Sequence, residues 1–311
     1  MPVFSVTHSL TFWFIYFLKQ HGIKRTIKAV WGFLRWQLKK TKYDLSKEHE
    51  VKVNGCDLSL IPNDSGISEE LLLFKTHEPY STQVLENCLH KGMICLDIGG
   101  NLGYYATLES RKVGKTGKVI AVEPSPFNFK YLKQNLTKQN QSNFEAFNLA
   151  FGDKDDKISF FISEHSNASH IIRENELMSV DPKNVIKVHV KKLDNFLQEI
   201  DLRKIDLLRM DVEGYEMHVL EGAKESIQKF KPMIQIEIHV ERLGKEKTKK
   251  LLDGFIGVGY DNGFCIPREL DSSVLGNESD MQKTNLKALI HDLEKGILPR
   301  AMILFLKKPE I

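Results

Sequence analysis

Asp97, Gly99 and Gly103 stand in the order Asp-x-Gly-x-x-x-Gly where the apolar run Cys95-Leu-Asp97-Ile gives way to a helical pattern. Glycine at such a turn lets the backbone approach a ligand that any Cβ would push away. An acid just ahead of the turn suits a ligand bearing an ammonium group, such as S-adenosylmethionine, and would repel a pyrophosphate. The dinucleotide fingerprint G-x-G-x-x-G does not fit, because from Gly99 it needs glycine where Asn101 and Tyr104 stand. A P-loop is absent too, since no Gly-Lys-Ser/Thr follows. The turn, with Gly100 and Asn101 inside it, reads as a cofactor loop. Glu123, followed by Pro124, ends the next apolar run. A carboxylate there can accept hydrogen bonds from both hydroxyls of a ribose. The bland alternative is a helix N-cap at Asn101 and a chance acid at a strand end.

These residues need a parallel sheet to bring them together. Short apolar runs alternate with helical stretches, the rhythm of βαβ units. Strands are expected at 93–98, 118–123 and 144–151, each followed or preceded by a helix (102–111, 127–138). A helical stretch over 69–89 should be broken at Pro79. The segments 157–162 and 186–192 alternate apolar and polar residues and suggest an antiparallel pair. Between them, 163–185 is polar and long enough to serve as a lid or binding loop. Strand, helix, strand, helix and strand are then expected at 205–210, 217–230, 233–238, 246–255 and 257–265. A surface loop at 271–285 and a last strand at 301–306 complete the pattern.

Further blocks follow in order: Leu149-Ala150-Phe151-Gly152-Asp153, Leu193-Asp194, Ile205-Asp206-Leu-Leu-Arg-Met-Asp211-Val-Glu213-Gly214-Tyr-Glu216, and Pro232-Met-Ile-Gln-Ile-Glu237-Ile-His239. With the glycine turn, they resemble the FkbM family of S-adenosylmethionine-dependent methyltransferases, over roughly residues 91–242. The resemblance implies a Rossmann-like class I methyltransferase fold. Its expected form is a mostly parallel seven-stranded sheet with an added β-hairpin and N-terminal helices. It implies O-methylation of a hydroxyl on a sugar, glycan or related metabolite. It also adds Ala150 to the cofactor set of Asp97, Gly99, Gly100, Asn101, Gly103 and Glu123. Family members commonly carry Lys where Arg209 stands here, a departure that keeps the charge.

Methyl transfer from a sulfonium is an in-line displacement in which alignment does most of the work. An alcohol is too weakly acidic to ionise unaided, so a base or a metal helps. In the expected sheet the strand ending at Met210 neighbours the one ending at Ile238, so Asp211, Glu213, Glu237 and His239 should converge over the methyl group. His239 is the leading base candidate, its ordinary pKa lying near working pH. Glu237 or Asp211 would orient it or hold the substrate. Glu213 and Glu216 have an alternative use, offsetting the dipole of the next helix. No metal is expected: a divalent ion between Asp211 and Glu237 is compatible with the spacing, which does not demand one. His165 and His170 are expected to be solvated.

Composition narrows the rest. Of 311 residues 27% are charged and 41% hydrophobic, which excludes a polytopic membrane protein and a mostly disordered chain. Four scattered cysteines make neither a disulfide framework nor a zinc site and suit a reducing compartment. The first 43 residues hold eight Lys or Arg and no acid, beside an aromatic run, Leu10-Thr-Phe-Trp-Phe-Ile-Tyr-Phe-Leu18. That run is short for a span, which needs roughly 20 apolar residues, and it lacks a signal-peptide cleavage pattern. Residues 1–50 therefore read as a basic amphipathic helical extension and 51–311 as the catalytic domain. Ile23, Ile27, Val30, Leu34 and Leu38 recur at helical spacing, suiting an anionic membrane surface or packing against protein. The expected setting is cytoplasmic, peripheral on the inner face of the membrane, with the acceptor lipid-linked or near the membrane. Two other function classes remain open. A nucleic-acid methyltransferase lacks its Asn/Asp-Pro-Pro-aromatic motif here and would meet a repelling acidic cluster. A non-catalytic cofactor- or partner-binding module leaves the polar strand ends without a task.

Overall fold

The computed structural model describes residues 10–172, 180–272 and 282–307. The chain begins with α1 (Leu10–Lys40), whose helical geometry breaks at Gly22 (φ 77°, ψ 170°), giving the expected pair of helices. A hairpin not foreseen in the sequence, β1 (Glu50–Val53) and β2 (Cys56–Ser59), comes next. The stretch interrupted by Pro79 is indeed two helices, α2 (Ile67–Phe74) and α3 (Pro79–Cys88).

The first half of the main sheet follows as β3 (Ile94–Ile98), α4 (Tyr104–Val113), β4 (Lys118–Val122), α5 (Pro126–Lys138) and β5 (Phe144–Phe147). The expected strand over 144–151 is divided. After β5, Asn148 donates its amide to the carbonyls of Glu123 and Pro124, at 2.8 and 3.0 Å. The chain then crosses to a separate sheet as β6 (Ala150–Phe151). That small sheet also contains β7 (Asp156–Phe161), β8 (His170–Ile171) and β9 (Val185–Lys191), with β7 and β9 antiparallel as the alternation suggested. Residues 173–179 of the long connection lie outside the described residues.

The second half runs α6 (Leu193–Glu199), β10 (Leu207–Met210), α7 (Glu216–Glu221), α8 (Lys224–Phe230), β11 (Met233–Ile238), α9 (Val240–Leu243), α10 (Lys245–Gly257) and β12 (Asn262–Pro267). It ends with β13 (Gln282–Asn285), α11 (Leu286–Lys295) and β14 (Met302–Leu306). Three expectations change here. The helix over 217–230 is two, because at Gly222 the chain passes so close to Gly152 that an added Cβ would lie 1.9 Å from its carbonyl oxygen. The strand placed at 257–265 starts only at Asn262, since α10 continues through Gly257. The loop over 271–285 ends in strand β13; residues 273–281 lie outside the described residues.

The main sheet has the order β13-β12-β14-β11-β10-β3-β4-β5, eight strands among the described residues rather than seven. Strands β5, β4, β3, β10 and β11 run parallel, and β14, β12 and β13 alternate antiparallel beyond them. Alternate residues feed two cores, as the period of two requires. Leu96, Ile98, Ile120, Leu208 and Ile236 face α6, α8, α10 and α11, whereas Cys95, Val119, Ala121 and Leu207 face α2 to α5. Burial on both faces explains the near-continuous apolar strands. The result is the Rossmann-like class I methyltransferase architecture. Strand order reverses beside β3, between β4 on one side and β10 on the other, and a crevice opens where such sheets bind ligands.

Candidate active site

The turn leaving β3 forms one wall of that crevice. Gly99 has φ 84°, and a Cβ there would lie 1.9 Å from the Asp211 carbonyl oxygen, so only glycine lets the turn pass under the end of β10. Gly103 precedes α4 with φ 92°, its backbone close to Leu132 of α5. Asn101 uses its side chain locally, accepting from the Leu102 N–H at 2.7 Å. Its own N–H donates to Glu123 Oε2 at 2.9 Å, while the Ser125 N–H donates to Oε1 at 2.8 Å. Two backbone donors thus fix the Glu123 carboxylate at the cleft. Burial nevertheless lifts its pKa to about 7, only partly offset by those two hydrogen bonds.

Asp97 lies deeper than expected. It is fully buried and absent from the cleft lining, with Oδ1 accepting from Arg209 Nη1 at 2.9 Å. Its Oδ2 has no hydrogen-bond partner among the described residues and would sit 3.4 Å from a Cβ on Gly100. Asp97 therefore supports the glycine turn from beneath, with one oxygen unsatisfied toward Gly100. Ala150 does line the cleft, with Leu149 and Phe151.

The opposite wall comes from the end of β10, through Arg209 and Asp211 to Tyr215, and β11 is the hydrogen-bonded parallel neighbour of that strand. Asp211 and Glu213 line the cleft, and Glu237 and His239 pack beside them without lining it. His239 Nδ1 lies 2.7 Å from Oε1 of the fully buried Glu216, and Nε2 lies 3.3 Å from Glu213 and 3.5 Å from Glu237. Burial alone would discharge this imidazole, but Glu213 and Glu237 outweigh it and hold the pKa well above the ordinary value. Both ring nitrogens of His239, the expected base, face carboxylates, an arrangement that favours the charged ring over the neutral one. Glu216, read from the sequence as a helix-end acid, is its anchor.

The carboxylates divide. Asp211 lines the cleft, its side chain 22% exposed, with Oδ1 lacking a hydrogen-bond partner and Oδ2 3.5 Å from Arg209 Nη2. Burial and the Glu213 charge raise its pKa to about 6, against the pull of Arg209 and His239. Glu237 is more enclosed and is raised to about 8, by burial and then by Asp211. Glu213 goes the other way: burial is outweighed by His239 and Arg242, and its pKa is lowered. Asp211, Glu237 and His239 each place a donor atom within 4.8 Å of the other two, a grouping of the size a divalent cation needs. Arg209 lies 3.5 Å from Asp211 and Arg268 3.2 Å from Glu237, so two guanidinium groups bring positive charge to that spot.

A second ionic cluster adjoins this one and had no signal in the sequence. Arg268 Nε lies 3.2 Å from Glu237, and its Nη2 lies 3.0 Å from Glu78. Glu78 also accepts from the Tyr105 hydroxyl at 2.7 Å and faces His77 Nε2 at 3.1 Å. His77 Nδ1 is 2.5 Å from Glu70. The residues joined this way are separated by up to 190 positions, which no local pattern reports. His170, half-buried, lines the cleft beside Ser166 and Asn167, and His165 Nδ1 meets the Ser65 hydroxyl at 2.8 Å. The loop carrying them is tied down through Ser166, whose N–H and hydroxyl donate to Asp64 at 2.9 and 2.8 Å.

Glu123 and the glycine turn thus share one cleft with Asp211, Glu213 and Tyr215. Asp97 is withdrawn from that cleft, so the expected contact of its carboxylate with a ligand's ammonium group is not what the structure shows; the Glu123 carboxylate and the Gly99–Asn101 backbone are the polar groups of the turn that line it.

Residues 97–261, just over half of the chain, match the Methyltransferase FkbM domain. The chain is similar to Methyltransferase 1 of Beauveria bassiana, 32% identical over 142 residues, covering 41% of this chain and 57% of that protein. It is similar to the hexuronic acid methyltransferase AglP of Haloferax volcanii, 27% identical over 177 residues, covering 55% of this chain and 69% of that protein. It also resembles the 2-O-methyltransferase NoeI of Sinorhizobium fredii, 28% identical over 150 residues, covering 44% of this chain and 59% of that protein. The match spans little more than half the length of the first of these relatives.

Proposed function

The chain belongs to the FkbM methyltransferase family, and from that premise we propose that it transfers a methyl group from S-adenosylmethionine to a hydroxyl of a sugar, glycan or related metabolite. One observation carries the reading: a single cleft has the glycine turn and Glu123 on one wall and Asp211 on the other. The names of AglP and NoeI, a hexuronic acid methyltransferase and a 2-O-methyltransferase, support the acceptor class. Peripheral attachment to an anionic membrane through residues 1–43 belongs to the same reading. No helix among the described residues is long and apolar enough to cross a membrane.

Bound S-adenosylmethionine supplies a sulfonium methyl carbon open to in-line displacement by an oxygen. The chain's own residues do the rest. Glu123 accepts from the ribose hydroxyls, and the Gly99–Gly103 turn lets the backbone close on the ligand. Asp211 takes the hydroxyl proton of the acceptor while the acceptor's oxygen bonds to the methyl carbon and the carbon–sulfur bond breaks, releasing the thioether. A pKa of about 6 keeps Asp211 ionised at neutral pH yet basic enough for the task. Glu237, on the neighbouring strand end, is held by His239 and Arg268.

The test has two parts. Calorimetry should detect binding of S-adenosylmethionine and its thioether product. Mass spectrometry of the parent organism's glycans and lipids, with and without the gene, should reveal a lost methyl increment. Absence of cofactor binding by the intact protein would overturn the reading.

A further inference from the structure

The amphipathic stripe of α1 faces away from the protein. Ile23, Ile27, Trp31, Leu34 and Leu38 are between 47% and 68% exposed. At 100° per residue they fall within an arc of about 80°. Lys24 and Arg35 are exposed along one edge of that arc. The opposite side of the helix, with Thr26, Ala29 and Gly32 buried, is the one that docks. An ordinary surface helix turns its apolar face inward and its charges outward. Here the arrangement is reversed, so packing on the chain's own domain does not account for the stripe.

The docked side fixes where the stripe sits. Phe17 and Ala29 cluster with Leu270, and His21 Nε2 lies 2.8 Å from Glu269. Lys40 Nζ lies 2.9 Å from Glu69, and Lys39 Nζ donates to the Leu73 carbonyl at 2.8 Å. These partners belong to α2 and to the Arg268–Leu270 turn. Ile67 of α2 lines the cleft, and Arg268 reaches Glu237. The stripe therefore rides on the elements that border the active site.

The geometry points to an anionic lipid surface as the occupant of this stripe, with a lipid-linked hydroxyl compound as the acceptor presented to the cleft beside it; the acceptor half rests on the methyl-transfer reading above. An apolar, Trp-bearing face edged by basic residues is what a helix lying in the headgroup region needs. The absence of any acid from residues 1–43 is complementary to anionic headgroups. A second copy of the chain would instead bring like charges together.

The test uses the full chain, sedimented with phosphatidylcholine vesicles with and without phosphatidylglycerol. Retention on the anionic vesicles that weakens with salt is expected. Ile27→Ser combined with Trp31→Ser and Leu34→Ser should weaken partitioning about tenfold or more, while binding of S-adenosylhomocysteine stays unchanged as the fold control. Lys24→Glu with Arg35→Glu should reduce retention only on the anionic vesicles. No retention of the full chain, equal retention of the triple-serine variant, or a dimer in solution that this variant dissolves would each overturn the docking. Label from methyl-labelled S-adenosylmethionine incubated with cell membranes should enter the organic-extractable fraction. Label confined to water-soluble products would overturn the acceptor class. Vesicle binding without label in either fraction would leave the docking standing and sink the methyl-transfer reading.

Discussion

Arg209 stands directly beside Asp97 in the register of two neighbouring parallel strands, its Nη1 2.9 Å from the Asp97 Oδ1. The guanidinium also lies 4.1 Å over the Tyr105 ring and 3.5 Å from Asp211. One buried cation thus ties the floor of the cofactor turn to the acceptor wall. Removing it strands a buried carboxylate, which generally costs about 3–5 kcal/mol. Arg209→Ala should lower the urea midpoint accordingly. Arg209→Lys should fall between the two, because an ammonium keeps the charge but loses the planar fork and the ring stacking. Equal stability of all three proteins would show that the pair holds nothing together.

Glu123 should make cofactor affinity depend on pH. Its pKa of about 7 is set mainly by burial of the ionised form. The ionised carboxylate is the better acceptor for ribose hydroxyls, so affinity for S-adenosylhomocysteine should rise as pH increases through about 7. Binding then favours ionisation and releases a proton, so the calorimetric enthalpy should vary with the buffer. Glu123→Gln should bind more weakly and lose both signatures. Unchanged affinity in that variant argues against the cofactor assignment.

Asp211 should control turnover with little influence on cofactor binding. Asp211→Asn is expected to slow methyl transfer by roughly 10²–10⁴-fold. In the wild type, activity should rise as pH increases through about 6, because the proton must be off for the oxygen to accept another. Asp211 and Glu237 interact, so the profile reports the pair rather than either residue alone. A steep limb near 6 that persists in Asp211→Asn would move the base elsewhere.

His77 should stabilise the fold in a pH-dependent way. Burial works against its charge, but Glu78 and Glu70 prevail and raise the pKa to about 10. The folded value exceeds the unfolded one, so the contribution is complete below about pH 6.5. It is lost as pH climbs toward 10. His77→Gln should therefore cost about 3–5 kcal/mol near neutrality and progressively less in alkali, read from urea midpoints. A difference that stays constant with pH would falsify the imidazolium assignment.

The turn that leaves β3 and the acid that ends β4 were legible in the sequence because their signals are local. A buried strand, a glycine turn and a helix occupy Ile94–Val113 without a break, and an acid at a strand end marks its own place. The same held for the acidic residues after β10 and for His239. Their positions follow from where the apolar runs stop. The division of 144–151 between two sheets did not follow, because it depends on Asn148 finding the backbone of Glu123 and Pro124.

What the sequence determined by itself is the order of strands and helices, the glycine turn, and which polar residues end up at strand ends, since backbone periodicity and steric need are written residue by residue. Only the tertiary structure decided what those residues are. His239 is enclosed by Glu216, Glu213 and Glu237 in a buried place, which favours its charged form over the neutral base its position suggested. Arg268 joined the site from a turn far along the chain, through Glu78 and Glu237. Helical spacing likewise defined a stripe on α1 but not its direction. The small buried Thr26, Ala29 and Gly32 let the other face approach the body, and the large apolar residues were left outside. Charge state and facing are set by neighbours in space, and spacing along one chain carries no record of them.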